Sequence, residues 1–410
     1  MTSAGLAERG VPPAAPARPL PPFDEQHERR RLELRAFVER DLRPRVGEWE
    51  RDRWFPSELF AELAERGLLG LKYPSELGGE GGDHLDDAIF VEELARCGSG
   101  GLAAAIGAHT GIATPPIWKF GTPEQQERFL RPAIRGERIA ALGITEPDAG
   151  SDVAGIRTRA EPVDGGWVVS GAKTYITNGV RADYVVTAVK TTGEGGHRGL
   201  SFLIVERGSE GFAVSRKLEK LGWHASDTGE LSFTDVFVPE ENLLGEENRG
   251  FYLIMANFQW ERLLMALGAV GGMSAALERT LGLAPARPGQ AFRHAAAEMA
   301  LKLETGRALT YAALRRFHAG EDAVREVTMA KLVTQRGLFE VAERALRLVA
   351  ERGLYTWPGH GGAADGARAD VEDTDPVAEL DRAARDARLG PIGGGTDEIM
   401  REILGRQLGL

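Results

Sequence analysis

From Glu25 to about Arg135 the apolar residues recur at helical spacing, as in Arg31–Leu42, in Pro56–Leu69 (Phe60, Leu63, Leu68) and in Asp86–Arg96. Gly78-Gly79-Glu80-Gly81-Gly82 breaks the pattern as a loop, and Thr122-Pro123-Glu124 reads as an N-cap with Pro at the first helical position. Between about 138 and 245 the pattern shortens to apolar or alternating runs: Trp167-Val168-Val169, Tyr184-Val185-Val186, Leu200–Val205 and Leu231-Ser232-Phe233. Turns such as Asp164-Gly165-Gly166 separate them, so a small barrel or sandwich is expected. From Gly250 long helical runs return, over Phe251–Met273, Phe292–His318 and Val324–Gly353. A Gly-, Ala- and Asp-rich loop over Gly359–Asp375 and a last helix over Thr396–Leu408 follow. Residues 1–24 are rich in Pro and Ala and read as a flexible tail. The chain therefore divides into helical (25–137), β (138–246) and helical (247–410) domains.

Composition narrows the function classes. The 410 residues are 42% hydrophobic, enough for a large core in two or three lobes. A net charge of -11 without a basic block argues against nucleic acid and anionic membrane surfaces. The single cysteine, Cys97, excludes an internal disulfide, and the eight His residues show no HExxH-type spacing, so no metal is expected. No apolar run is long enough to span a bilayer, and the first residues lack a cationic start followed by an apolar core. A cytoplasmic protein is the expectation.

Three stretches carry candidate chemistry. Leu142–Asp152 runs from an apolar strand into a Gly-, Ser- and Asp-rich turn, suited either to an anion or to plain strand punctuation. Tyr175 and Thr177 share a strand face, so a flat cofactor could lie on the ring and accept a hydrogen bond from the hydroxyl. Glu261 sits inside an apolar stripe of Ile254, Phe258, Met265 and Gly268, with Arg262 pointing elsewhere. A carboxylate there has a raised pKa and serves as a general base, or else pairs with an Arg from another helix. Gly393-Gly394-Gly395-Thr396 ahead of a helix could bring backbone N–H groups against an oxyanion, or could be a capped helix start.

At these residues the chain resembles the acyl-CoA dehydrogenases, over about residues 25–410. The resemblance rests on Ile144-Thr145-Glu146-Pro147 with Ala149-Gly150-Ser151-Asp152, on Tyr175-Ile176-Thr177-Asn178-Gly179, and on Asp235-Val236 with Val238-Pro239. Asn242-Leu243-Leu244-Gly245 and Arg385-Asp386-Ala387-Arg388 extend it. It implies an α+β fold with an N-terminal helical domain, a middle β-barrel domain and a C-terminal four-helix bundle. It also implies FAD, with α,β-dehydrogenation of an acyl thioester by α-proton abstraction and β-hydride transfer to flavin N5. By that resemblance Leu142, Ile144, Thr145, Gly150 and Ser151 line the flavin, Tyr175 packs on it where most members have Trp, Thr177 lies near N5, and Ile176 also contacts the cofactor. Ser151, Tyr252, Phe258, Gln259, Arg262, Gly394 and Gly395 face the thioester, and Thr396, Asp397 and Glu398 return to the cofactor. Gly394 stands where many members carry the base. The isovaleryl and long-chain branches carry it instead in a Glu-Arg pair, which Glu261-Arg262 matches, leaving the Gly394 N–H for the thioester carbonyl.

Two departures stand out. Arg279 and Gln290 keep the spacing of a cofactor-binding pair, but Gly282-Leu283-Ala284 replaces the Phe-Gly-Arg between them. A glycine-rich run that meets a neighbouring subunit's FAD is replaced by Arg347–Gly353, before an insertion ahead of Arg385. The resemblance further implies an electron-transfer flavoprotein as acceptor and a homotetramer or homodimer. Two other readings remain: an acyl-carrier-protein-linked dehydrogenase, and a cofactor-poor, non-catalytic binding subunit.

Overall fold

The computed structural model describes residues 19–193, 196–354 and 375–410. Most of the expected N-terminal tail, and the loop expected at Gly359–Asp375 apart from its last residue, lie outside the described residues. The N-terminal helices include α1 (Glu25–Phe37) and α2 (His84–Leu94). Each starts at an aspartate that satisfies free backbone N–H groups: Asp24 accepts from Gln26 and His27, and Asp83 from Leu85.

The C-terminal helices are α3 (Gly250–Gly282), α4 (Gln290–His318), α5 (Val324–Ala350), α6 (Pro376–Asp386) and α7 (Asp397–Gln407). Helix α3 runs nine residues beyond the expected Met273, because Ala275-Ala276-Leu277-Glu278-Arg279 are strong helix formers and the next proline is Pro285. Helices α3, α4, α5 and α6 share one core, built from Met273, Met299, Leu303, Val341, Leu346 and Leu380. That is the four-helix bundle.

Among the described residues eight strands form the middle sheet: β1 (Ala140–Gly143), β2 (Arg159–Val163), β3 (Gly166–Thr177), β4 (Tyr184–Lys190), β5 (Leu200–Glu206), β6 (Phe212–Lys217), β7 (Thr228–Pro239) and β8 (Leu243–Leu244). The hydrogen-bonded order is β6-β7-β3-β2-β4-β5-β8, with β1 parallel to β4. The hydrogen-bonded path runs from β6 to β8, and the sheet wraps around its own core.

Strands β4 and β5 explain how the domains lock together. Val185, Leu203 and Val205 face the inner core with Val169, Leu231 and Phe233. Tyr184, Val186, Phe202 and Ile204 face outward onto Ile117, Phe129 and the start of α3 at Leu253 and Ile254. A strand buried on both faces reads as a continuous apolar run, which is why Tyr184–Val189 shows no polar alternation. Further along α3, Trp260, Leu263 and Leu267 join the core of the N-terminal helices. Helix α3 thus touches all three domains, and Glu261 lies where they meet.

Candidate active site

A narrow cavity opens between β1, β5 and α3. Leu142, Ile144 and Phe202 line one wall; Ile254, Asn257, Phe258 and Glu261 line the other. Glu261 is partly buried and makes no ion pair or hydrogen bond among the described residues. Burial raises its carboxyl above the ordinary range, and the positive charges of Arg262 and Lys331 offset this only in part. The stripe argument therefore resolves toward a free carboxylate, not toward a salt bridge with another helix.

The glycine turn faces that carboxylate. A Cβ on Gly394 would lie 3.8 Å from Glu261 Oε1 and only 2.4 Å from Met265 Sδ, and the backbone there has φ +62°. The position accepts only glycine without rearrangement. The Gly394 N–H has no protein acceptor among the described residues. The turn is pinned from α5, where buried Lys331 donates from Nζ to the Gly395 carbonyl at 2.7 Å. Burial pushes Lys331 down to about 8, against the nearby carboxylate of Asp397.

The Leu142–Asp152 turn is held by a buried ion pair. Glu146 accepts from Lys173 Nζ at 2.7 Å and from the N–H groups of Arg157 (2.5 Å) and Thr158 (3.0 Å). Lys173 also donates to the Ile144 carbonyl at 3.1 Å, and burial depresses it to about 8. Thr174 N–H donates to the Thr145 carbonyl at 2.9 Å, which docks the turn beside Tyr175. Lys173→Met leaves the Glu146 carboxylate buried without its cation, and thermal unfolding is expected to show a loss of about 3–5 kcal/mol. The double change Lys173→Met, Glu146→Gln should recover part of it.

Tyr175 is 69% exposed and sits at a bulge between Lys173 and Ile176 with φ +59°. Ile176 turns inward, while Thr177 is partly buried. Beyond it, Asp227 accepts from Val180 N–H at 2.7 Å and pairs with Arg181 at 2.5 Å, which fixes the far end of the loop.

The remaining expected residues fall into three groups. Arg262 is buried over the Phe258 ring at 5.2 Å, and its Nε has no partner; Gln259 Oε1 is likewise unpaired among the described residues. Ser151 and Gly150 are exposed, with open space over Gly150, and Tyr252 is exposed under the Arg249 guanidinium. Thr396 caps α7 by accepting from Ile399 N–H, Asp397 is buried against Arg336, and Glu398 faces solvent. The cavity gathers Leu142, Ile144, Phe258 and Glu261, with Gly394 beside them. Thr177 does not line it.

Arg279 is engaged by side chains and backbone of its own chain. Its guanidinium donates to Glu379 at 2.7 Å, to Glu39 at 3.3 Å and to the Arg96 carbonyl at 3.2 Å, all within this chain. Gln290 is exposed as the first residue of α4. Two residues escaped the sequence reading, Asn257 and Lys331. The rule that singled out Glu261 does not reach Lys331, whose neighbours at steps of three and four are Val327, Thr328, Thr334 and Gln335, three of them polar though all are buried.

The residues present fit FAD. The uncovered Tyr175 ring lies beside a turn whose Thr145 carbonyl is tied to the same strand, and unpaired buried polar atoms remain on Gln259 and Arg262. No described helix is long and apolar enough to cross a membrane, and no group of metal-ligating side chains occurs among the described residues.

Comparison with known proteins agrees. The family descriptions for the N-terminal, middle and C-terminal domains of acyl-CoA dehydrogenase match residues 24–137, 141–236 and 248–409. A mitochondrial isovaleryl-CoA dehydrogenase of Solanum tuberosum is 33% identical over 94% of this chain and 91% of its own. A solved probable acyl-CoA dehydrogenase of Mycobacterium abscessus is 41% identical, with a TM-score of 0.86, over 94% of this chain and all of its own. The prolyl acyl carrier protein oxidase AnaB is 27% identical, with a TM-score of 0.84, over 95% of this chain and all of its own. The chain belongs to the acyl-CoA dehydrogenase family, flavoprotein oxidoreductases that use FAD.

Proposed function

We propose that this protein introduces the α,β double bond of an acyl-CoA with Glu261 as the base. The observation that carries the reading is an unpaired carboxylate in an apolar cavity, faced by a glycine turn. The substrate's α-carbon lies against Glu261, and the Gly394 N–H donates to the thioester carbonyl oxygen. That bond stabilises the charge that develops as the proton leaves. Glu261 takes the α-proton at its carboxylate oxygen, and the positive charges of Arg262 and Lys331 favour its ionised form. Bound FAD supplies the two-electron oxidising capacity, held by Leu142, Ile144, Thr145, Ser151, Tyr175 and Thr177. Phe202, Ile254 and Phe258 exclude water from the acyl chain. The reading keeps an electron-transfer flavoprotein as acceptor and a homotetramer or homodimer, as the resemblance implies, with a cytoplasmic location.

The test is a panel of acyl-CoAs of graded length and branching added anaerobically to the FAD-loaded protein. Bleaching of the flavin band without added acceptor is the expected result. Protein that is colourless and takes up no FAD points instead to a non-catalytic binding subunit. The similarity to a carrier-protein oxidase favours a second reading, in which the thioester is presented on an acyl carrier protein. Bleaching by the carrier-bound acyl group and not by the CoA ester would select it.

A further inference from the structure

The acyl cavity is apolar except at two side chains, the Glu261 carboxylate and Asn257. Asn257 precedes Glu261 by one helical turn on the same face of α3, so the two Cβ atoms lie about 5–6 Å apart. Its side chain is almost wholly buried, with the residue only 6% exposed. Its Nδ2 donates to the Ile112 carbonyl at 3.3 Å. That bond settles the orientation of the amide, since a flip would set two acceptors against each other. The end left over is an acceptor, Oδ1, and it has no partner among the described residues.

A buried amide oxygen without a donor is costly, and the walls around it (Phe202, Leu253, Ile254, Phe258) offer none. We infer that the acyl chain this protein oxidises carries a neutral hydrogen-bond donor, a hydroxyl or an N–H, at the γ or δ carbon, paired with Asn257 Oδ1. The inference rests on the proposed function for the position of the α-carbon. One turn of helix rises about 5.4 Å, close to the span of four extended bonds, which is the reach from the α-carbon to a hydroxyl oxygen on the δ carbon, with the γ position one bond shorter. A carboxylate substituent is excluded because it would set acceptor against acceptor in an apolar cleft. Sites built to hydrogen-bond a substrate group discriminate strongly against analogues that lack it, because the protein's own polar atom is then left unpaired.

The test uses pentanoyl-CoA, its 4- and 5-hydroxy derivatives, and the matching methoxy derivatives, which keep the oxygen and remove the donor. The ratio of kcat/KM is read from anaerobic flavin bleaching. Binding of the corresponding thioethers, which lack the activating carbonyl, is read by calorimetry on the FAD-loaded protein. One hydroxylated chain should exceed both the plain and the methoxy chain by about tenfold or more. Asn257→Leu should abolish or invert that ratio, and Asn257→Ala should do so if the larger change perturbs folding. Equal or better handling of the plain chain by the unaltered protein overturns the inference, as does a ratio that survives both substitutions. If no thioester bleaches the flavin, the dehydrogenase reading fails, while the thioether binding ratio still decides whether Asn257 takes a donor.

Discussion

Glu261→Gln abolishes turnover while the protein stays folded and yellow. The substitution keeps volume and shape, so the cavity walls and the Gly394 turn remain in place. What it removes is the only carboxylate among the side chains lining that cavity. Loss of a positioned general base typically costs 10²–10⁴-fold, so flavin bleaching by the best acyl-CoA should fall by about a thousandfold. The unaltered protein should also lose activity on acidification at a pH above the ordinary carboxylate range, because burial raises the Glu261 carboxyl and only the ionised form accepts the α-proton. The stability effect has the opposite sense. A carboxyl whose folded pKa lies above its unfolded one binds more protons folded than unfolded, so its contribution to stability is present at low pH and lost as pH rises through the raised value. Glu261→Gln should therefore melt at least as high as the parent at neutral pH. A variant that bleaches its flavin at the parent's rate removes Glu261 from the mechanism.

Gly394→Ala is expected to cost about 10²–10³-fold in kcat with little change in FAD content. The new Cβ would meet Met265 Sδ at 2.4 Å, and φ +62° is a backbone region that L-residues avoid. The turn must shift to relieve both, and a shift of even an ångström takes the N–H away from the position of the thioester oxygen. Met265→Ala in the same chain relieves the collision but not the backbone strain, so it should restore only part of the rate. Global stability should fall by only about 1–2 kcal/mol, the cost of a left-handed L-residue. Thermal unfolding beside single-turnover bleaching separates the two effects. An unchanged rate in Gly394→Ala would mean that another group activates the carbonyl.

The parts of this site legible along the chain are those set by spacing and residue type. Glu261 stands out because a charge at steps of three and four from Ile254, Phe258 and Met265 violates a helical stripe. The Ile144–Ser151 turn stands out because Gly, Ser and Asp after an apolar strand encode a local conformation. The helical, β, helical order follows from periods of 3.6 and 2 without reference to anything distant. The apolar run Tyr184-Val185-Val186 was legible as a strand, but its burial on both faces came only from the packing.

What the chain could not disclose depends on which residues meet across long separations. Arg279 finds Glu379 one hundred positions away and Glu39 on the far side of the chain, so its spacing to Gln290 carried no information about its partner. Lys173 reads as an ordinary strand lysine until the fold places Glu146 against it and shuts out water. Tyr175 reaches the surface through a bulge and a left-handed backbone, a geometry imposed by the pairing of β3 with β7 rather than by its own side chain. The unpaired end of Asn257 exists only because Ile112 takes the other end. Local chemistry selects elements and marks their odd residues. Packing alone decides whether an odd residue is paired, as Lys173 is, or left without a partner among the described residues, as Glu261 is, because desolvation and partnership are properties of the assembled interior.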